Sequence, residues 1–254
     1  MILNGSPREY SKVIDLRNEG ECFKACLSFC YFVGGEAPSF FHSQERKYYD
    51  GLKFEKRRKD YSLGRYVAKR SIGLFSGEKD LSRIEIKNGV FNQPVVKYGN
   101  EQNLQVSISH CEHMGAAIAF QEDHPMGIDI ERISSKTAHI IESQIDEEEK
   151  KLTRNSERSP DFMLVLLWTS KESLSKTLKT GLTVPLNLFK INKVIDKGEY
   201  FISLYENFNQ YHTISFALAD YICSITSPKN SEFQIDIQAV RDWFGNRTDT
   251  YIAL

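Results

Sequence analysis

Three short stretches of the chain hold residue types that could do chemistry together. The first is Gly127-Ile-Asp-Ile-Glu131, where apolar and acidic residues alternate. On a strand, alternate side chains share a face, so Ile128 and Ile130 point one way and Asp129 and Glu131 the other. Two carboxylates about 7 Å apart along a strand can grip one divalent ion. The same alternation also describes a plain amphipathic strand with its polar face in water. The second stretch is Trp168-Thr-Ser-Lys-Glu-Ser-Leu-Ser-Lys176. On a helix, Trp168, Glu172 and Lys176 are spaced i, i+4, i+8 and line one face. Glu172 is then a candidate third carboxylate and Lys176 a phosphate clamp. The simpler alternative is a surface Glu–Lys pair with Trp168 filling the core. The third is Val106-Ser-Ile-Ser-His110, a strand with a histidine at its tip. That histidine is either a turn residue or a donor to phosphate. The six histidines show no HExxH or HxH spacing, so a zinc site is a poor reading. A serine-hydrolase elbow (GxSxG) and a GxxxxGK-type phosphate loop are both missing.

The elements that must position these residues can be read in outline. Residues 1–20 are polar and weakly patterned. Residues 24–33 are dense in aromatics and end at Gly34-Gly35, and periodicity fits strand or helix there. Ser43 starts a helix as its N-cap, with Glu45 in the first turn. Residues 53–70 form the most basic stretch, with eight Lys or Arg against Glu55 and Asp60. Leu63, Tyr66, Val67 and Ile72 give that stretch an apolar helical stripe. Residues 84–96 predict two strands around the turn dipeptide Asn88-Gly89. Residues 104–110 and 115–120 predict a second pair, and 127–131 a further strand. Asp123-His-Pro125 marks a turn and the midpoint between two lobes. One helix is expected over 136–152, ending in the acidic run Asp146–Glu149. A long helix follows from about Asp161 to Thr180, stopped by Gly181. Strands are expected at 188–194, 200–205, 212–218 and 221–226, with one short helix near Trp243. A faint echo links the 107–120 segment with the 212–225 segment, suggesting two similar halves.

The chain has 254 residues, enough for one large domain or two small ones. Hydrophobic residues make up 41% and charged residues 26%, which excludes disordered and collagen-like classes. The net charge is −1, so no bulk field draws the protein to nucleic acid or membrane, and any anion site is a local patch. The apolar stretches fall short of the ~20 residues a spanning helix needs, and the start lacks a signal-peptide pattern. The five cysteines (22, 26, 30, 111 and 223) are odd in number and contain no CxxC pair. Cys22, Cys26 and Cys30 could share one helical face, as packing residues or as part of a metal site that lacks a fourth ligand. A reduced, cytoplasmic protein is expected.

Taken in order, the basic helix, the Ser107–His110 strand, the Gly127–Glu131 strand and the Trp168–Lys176 helix resemble one family. It is the surfactin-synthetase-activating type of 4'-phosphopantetheinyl transferase, a holo-carrier-protein synthase. Both core motifs match, with Thr169 where the family has Ser or Thr, and the resemblance spans roughly residues 40–190. Asn92-Gln93 stands where Gly-Lys is common, and Cys111 where Ser or Thr is common. The resemblance implies an α+β fold of two similar α+β lobes in pseudo-two-fold arrangement within one chain, with the active site in the cleft between them. The lobes would be residues 1–125 and 126–254. The implied reaction moves 4'-phosphopantetheine from coenzyme A to a serine of an apo acyl or peptidyl carrier protein, releasing adenosine 3',5'-bisphosphate. Asp129, Glu131 and Glu172 match the magnesium ligands, and manganese could substitute. His110 and Ser109 match the nucleotide-phosphate strand, Lys176 a lysine near the pyrophosphate, and Arg46, Arg58 and Arg65 the basic region around the 3'-phosphate. Glu172 is a candidate base, directly or through water. Glu149 is a second candidate, with a solvated acidic face as its plainer reading. The expected protein is a monomer that binds no nucleic acid and no membrane. The alternative is a degenerate relative that docks carrier proteins without turnover.

Overall fold

The computed structural model describes residues 8–31, 39–99 and 103–245. Contacts group into two compact units that divide between Met126 and Gly127. Each combines an antiparallel sheet with one long helix, which makes the protein α+β.

In the first unit, β1 (Arg8–Asn18) and β2 (Glu21–Tyr31) form a long hairpin. Its turn residues Glu19 and Gly20 both take positive φ, 50° and 89°, as a two-residue turn must to match the strand twist. A polar, unpatterned reading of residues 1–20 misses β1, because only Ile14 and Leu16 are buried along it. β2 is buried without a break from Ala25 to Cys30, the pattern of a strand covered on both faces. The Gly34-Gly35 stop lies outside the described residues.

Two helices follow, α1 (Ser43–Asp50) and α2 (Glu55–Ser76). Ser43 is not the cap of α1. His42 Nδ1 accepts from Gln44 N at 3.4 Å, and the Glu45 carboxylate accepts from His42 N at 3.0 Å. This is a capping box with an imidazole in the hydroxyl's place. α2 carries the basic stretch and ends at Gly77, whose φ of 77° suits a residue without Cβ. The hairpin β3 (Glu85–Asn88) and β4 (Pro94–Lys97) has a longer turn than Asn88-Gly89 suggests. Gly89 N donates to Gln93 O at 2.8 Å, and Asn92 takes the left-handed conformation. The Gln93 side chain folds where a Cβ on Gly89 would lie. β5 (Leu104–Cys111) and β6 (Met114–Gln121) complete the unit, and its strands pair in the order β1-β2-β6-β5. α2 packs on β2, β5 and β6. Cys26 and Cys30 share a strand face, not a helical one, and sit in one core with Leu63, Val67 and Ile72. Burial pushes the two thiols up to about 11 and about 12, as for packing residues.

The second unit opens with β7 (Gly127–Arg132) and continues with α3 (Ser135–Glu142), α4 (Glu147–Arg154) and α5 (Pro160–Thr177). The single helix expected over 136–152 is two helices. Asp146 leaves the helical conformation and caps α4, accepting from Glu149 N at 2.8 Å. The acidic run therefore starts a helix, where the helix dipole favours it, and does not end one. α5 starts at the cap Ser159 with Pro160 in its first turn. It stops ahead of Gly181, and Lys179 takes the left-handed turn. Strands β8 (Ile191–Asp196), β9 (Phe201–Tyr205), β10 (Tyr211–Leu218) and β11 (Tyr221–Pro228) follow, close to expectation. The sheet order is β7-β11-β10-β9-β8, all antiparallel. α5 lies on β7, β10 and β11, with α3 and α4 against its other side. α6 (Ile237–Gly245) carries Trp243. Among the described residues, no helix is long and apolar enough to cross a membrane.

Candidate functional site

β7 turns its residues as alternation dictates. Ile128 and Ile130 are fully buried in the second unit. Asp129 and Glu131 lie on the opposite face, opposite Ser224 and Ile222 of β11. Asp129 is 3% exposed, and Glu131 is half-buried. α5 supplies Trp168, Glu172 and Lys176 from one stripe, all half-buried, and Trp168 packs against the unit's core. Lys176 Nζ donates to Asp129 Oδ1 at 2.7 Å. Burial, then the neighbouring charge of Asp129, push the Glu172 carboxyl up to about 7, with Glu131 adding to the rise and Lys176 opposing it. Strand and helix thus gather Asp129, Glu131, Glu172 and Lys176 into one electrostatic cluster. Burial and the charge of Asp129 together account for most of the rise at Glu172. Among the described residues, no group of three His, Cys, Asp or Glu is already set at metal-binding spacing. The donor chemistry still fits a hard divalent cation, which takes carboxylate oxygens and relieves their repulsion.

The helix and strand approach closely because residue 127 has no side chain. A Cβ there would lie 2.9 Å from Thr177 N and closer still to the Ser173 carbonyl. Gly127→Ala should therefore cost about 3 kcal/mol or more in urea unfolding, since rigid backbone must move. A cost under about 1 kcal/mol would contradict this close approach.

Glu149 sits elsewhere. It is fully buried, not a solvated acidic face, and both oxygens are engaged. Oε2 pairs with Lys171 Nζ at 2.6 Å, and Oε1 accepts from Ile191 N at 2.8 Å. It completes the α4 capping box, with no part in the Asp129–Glu172–Lys176 cluster.

In the first unit, His110 is exposed at the end of β5, with buried Ser109 beside it. The bare Gly64 of α2 faces His110, with Cδ2 3.5 Å from where a Cβ would stand. The three arginines differ. Arg46 is exposed and paired with Asp50 at 3.0 Å, an exposed pair of small worth that a ligand can displace. Arg58 Nε donates to Leu52 O at 2.8 Å, and its guanidinium lies over Tyr49. Arg65 is buried, donates to Asn88 Oδ1 at 2.9 Å and stacks on Tyr61 at 4.7 Å. Arg65, Tyr48, Tyr61, Glu85 and Asn88 line a pocket of about 280 Å³. Sequence reasoning missed Tyr48, Tyr61 and Asn88, because they lie on three different elements.

The second unit brings carboxylates and a lysine together from a strand and a helix. Residues 125–226 match the model of the 4'-phosphopantetheinyl transferase superfamily, ACPS. The chain is 32% identical over 114 residues to the 4'-phosphopantetheinyl transferase gsp of Aneurinibacillus migulanus, covering 43% of this chain and 44% of that protein. The match therefore spans less than half the length of this curated relative. Among solved structures, the apo-ACPS structure of Chronobacterium ammoiniagenes covers 44% of this chain and 96% of its own, at 17% identity and a TM-score of 0.29.

Proposed function

We propose that this chain transfers 4'-phosphopantetheine from coenzyme A to a serine hydroxyl of an apo carrier protein, in the manner of the surfactin-synthetase-activating type, releasing adenosine 3',5'-bisphosphate. The observation that carries this reading is the cluster of Asp129, Glu131, Glu172 and Lys176 inside the matched segment. Asp129, Glu131 and Glu172 would hold magnesium, which when bound neutralises charge on the pyrophosphate. Lys176 shares that load on the pyrophosphate side. The attacking oxygen comes with the carrier, so the chain needs only a proton acceptor. Glu172, directly or through water, is the candidate for that role. The aromatic pocket beside Arg65 and the exposed His110 offer planar and cationic contacts for the nucleotide end. Mass spectrometry of an apo carrier incubated with coenzyme A and magnesium tests the reading. One added phosphopantetheine supports it. An unmodified carrier across a panel of fatty-acid, polyketide and peptide carrier domains would leave a docking module.

His110 gives a narrower test. If it donates to the 3'-phosphate, His110→Ala should weaken coenzyme A binding by about 1.5–3 kcal/mol, the worth of a charged hydrogen bond. Dephospho-coenzyme A lacks that phosphate and should lose much less, which closes a cycle across one contact. Equal losses with both compounds would remove His110 from the role.

A further inference from the structure

The face of α5 that meets the sheet is hydroxylated where an apolar stripe would be usual. Thr169, Ser170 and Ser173 are fully buried against Ser203, Thr213, Ser215, Ser224 and Thr226, which are also fully buried. One branch of this network has a definite end. Ser173 Oγ donates to Gly127 O at 3.0 Å, and Thr226 Oγ1 donates to Ser173 Oγ at 2.8 Å. Thr213 meets Thr226 at 2.6 Å, and Tyr205 meets Thr213. A carbonyl can only accept, and each hydroxyl has one proton. The donors therefore run from Thr213 through Thr226 and Ser173 to Gly127 O, while the Tyr205 hydroxyl beside Thr213 donates to the Ser170 carbonyl at 2.8 Å. Ser173 directly follows Glu172, and Gly127 precedes Asp129 by two residues. The last link thus ties the helix residue beside one carboxylate to the strand that carries the other.

We propose that the Thr213–Thr226–Ser173 hydroxyl chain is the positioning device of the acidic cluster. It holds α5 close on β7, the helix of Glu172 against the strand of Asp129 and Glu131, ready to close on a cation. The inference rests on the transferase reading of that cluster. Small hydroxyls let the helix backbone approach the strand, as the space at Gly127 requires. Directional hydrogen bonds then fix the axial register of the helix, which apolar contacts leave freer. Leu or Val in the same places would hold the helix off the sheet. The second branch, from Ser170 to Ser203 and Ser215, runs on through Ser224 to Thr169, which donates to α5 carbonyls and not to Gly127. It serves as the internal control.

The test compares Ser173→Ala and Thr226→Val with Ser203→Ala and with Thr226→Ser. Manganese binding in the presence of coenzyme A is read by electron paramagnetic resonance, beside transfer kinetics and melting. Ser173→Ala and Thr226→Val are expected to weaken manganese at least 5-fold and lower kcat at least 10-fold, leaving the KM for carrier unchanged. Thr226→Ser should restore both. Ser203→Ala should lower the melting temperature without moving either. Lower melting temperatures with unchanged manganese affinity and kcat would overturn the inference and leave the chain purely structural. A wild-type protein that binds manganese but transfers nothing removes the transferase reading, and the manganese comparison still decides the positioning role. A wild type that binds no manganese overturns both.

Discussion

Asp129→Ala and Glu172→Ala should each lower phosphopantetheine transfer at least ~100-fold, about 2.7 kcal/mol of transition-state stabilisation, while the fold survives. Burial, and then repulsion from Asp129 and Glu131, already raise the Glu172 carboxyl. Removing Glu172 should therefore not harm the apo protein, whereas removing Asp129 also breaks its ion pair with Lys176. The consequence for pH can be read from sign alone. The folded Glu172 carboxyl lies near 7, above its ordinary value of 4.5. A raised carboxyl binds its proton more tightly in the folded state. The folded chain is therefore favoured below about 4.5, and that advantage is lost as pH rises through 7. In the absence of added cation, wild-type stability should fall across this window by no more than roughly 3 kcal/mol. Glu172→Gln should flatten the curve and be the more stable form at pH 8. Magnesium with coenzyme A should stabilise wild type by mass action, and the shift should vanish in Asp129→Ala. Chemical unfolding across pH, with and without magnesium, checks all three. Near wild-type transfer by either alanine variant in the presence of a chelator would sink the cation assignment.

The parts of this site that were legible in the sequence are those written in a single period. Alternation placed Asp129 and Glu131 on one face of β7, and i, i+4 spacing placed Glu172 and Lys176 on one face of α5. Their convergence was not legible from spacing, because it depends on the missing side chain at Gly127 and on the hydroxyls beneath α5. Glu149 shows the opposite failure. In the run of four acids, Asp146 caps α4, Glu147 and Glu148 face solvent, and sequence does not say which one turns inward. The deciding feature is the N3 position after Asp146, a capping box that sends one carboxylate back toward the core. The break between α3 and α4 was hidden by the same misreading, since Asp146 was counted inside a helix and not as the start of one. β1 was invisible because a strand with two buried apolar residues has little pattern to detect.

The two units share a buried device that no alignment of their residues suggests, and it carries the second large prediction. In the second unit, the capping-box Glu149 of α4 pairs with Lys171 of α5 and accepts from Ile191 N. In the first, the capping-box Glu45 of α1 pairs with Lys69 of α2 and accepts from Ile86 N at 3.0 Å. Each joins a short helix, the long helix and the strand or hairpin that follows. Both side chains of the Glu149–Lys171 pair are at most 1% exposed. Lys171→Met leaves a buried carboxylate without its cation and should cost about 3–5 kcal/mol. Glu149→Gln keeps an acceptor for Ile191 N but strands the ammonium, at a similar cost. The double variant removes both charges together and should recover at least about 2 kcal/mol of the summed loss. Lys69→Met should cost less than Lys171→Met. Arg65 lies 3.7 Å from Glu45 and supplies a second positive charge, and burial already holds the Lys69 ammonium below its ordinary value. Urea unfolding of the four variants decides the matter. If Lys171→Met and Glu149→Gln each cost under about 1 kcal/mol and their effects simply add, the buried pair does not hold these elements together, and the shared device is a coincidence of capping.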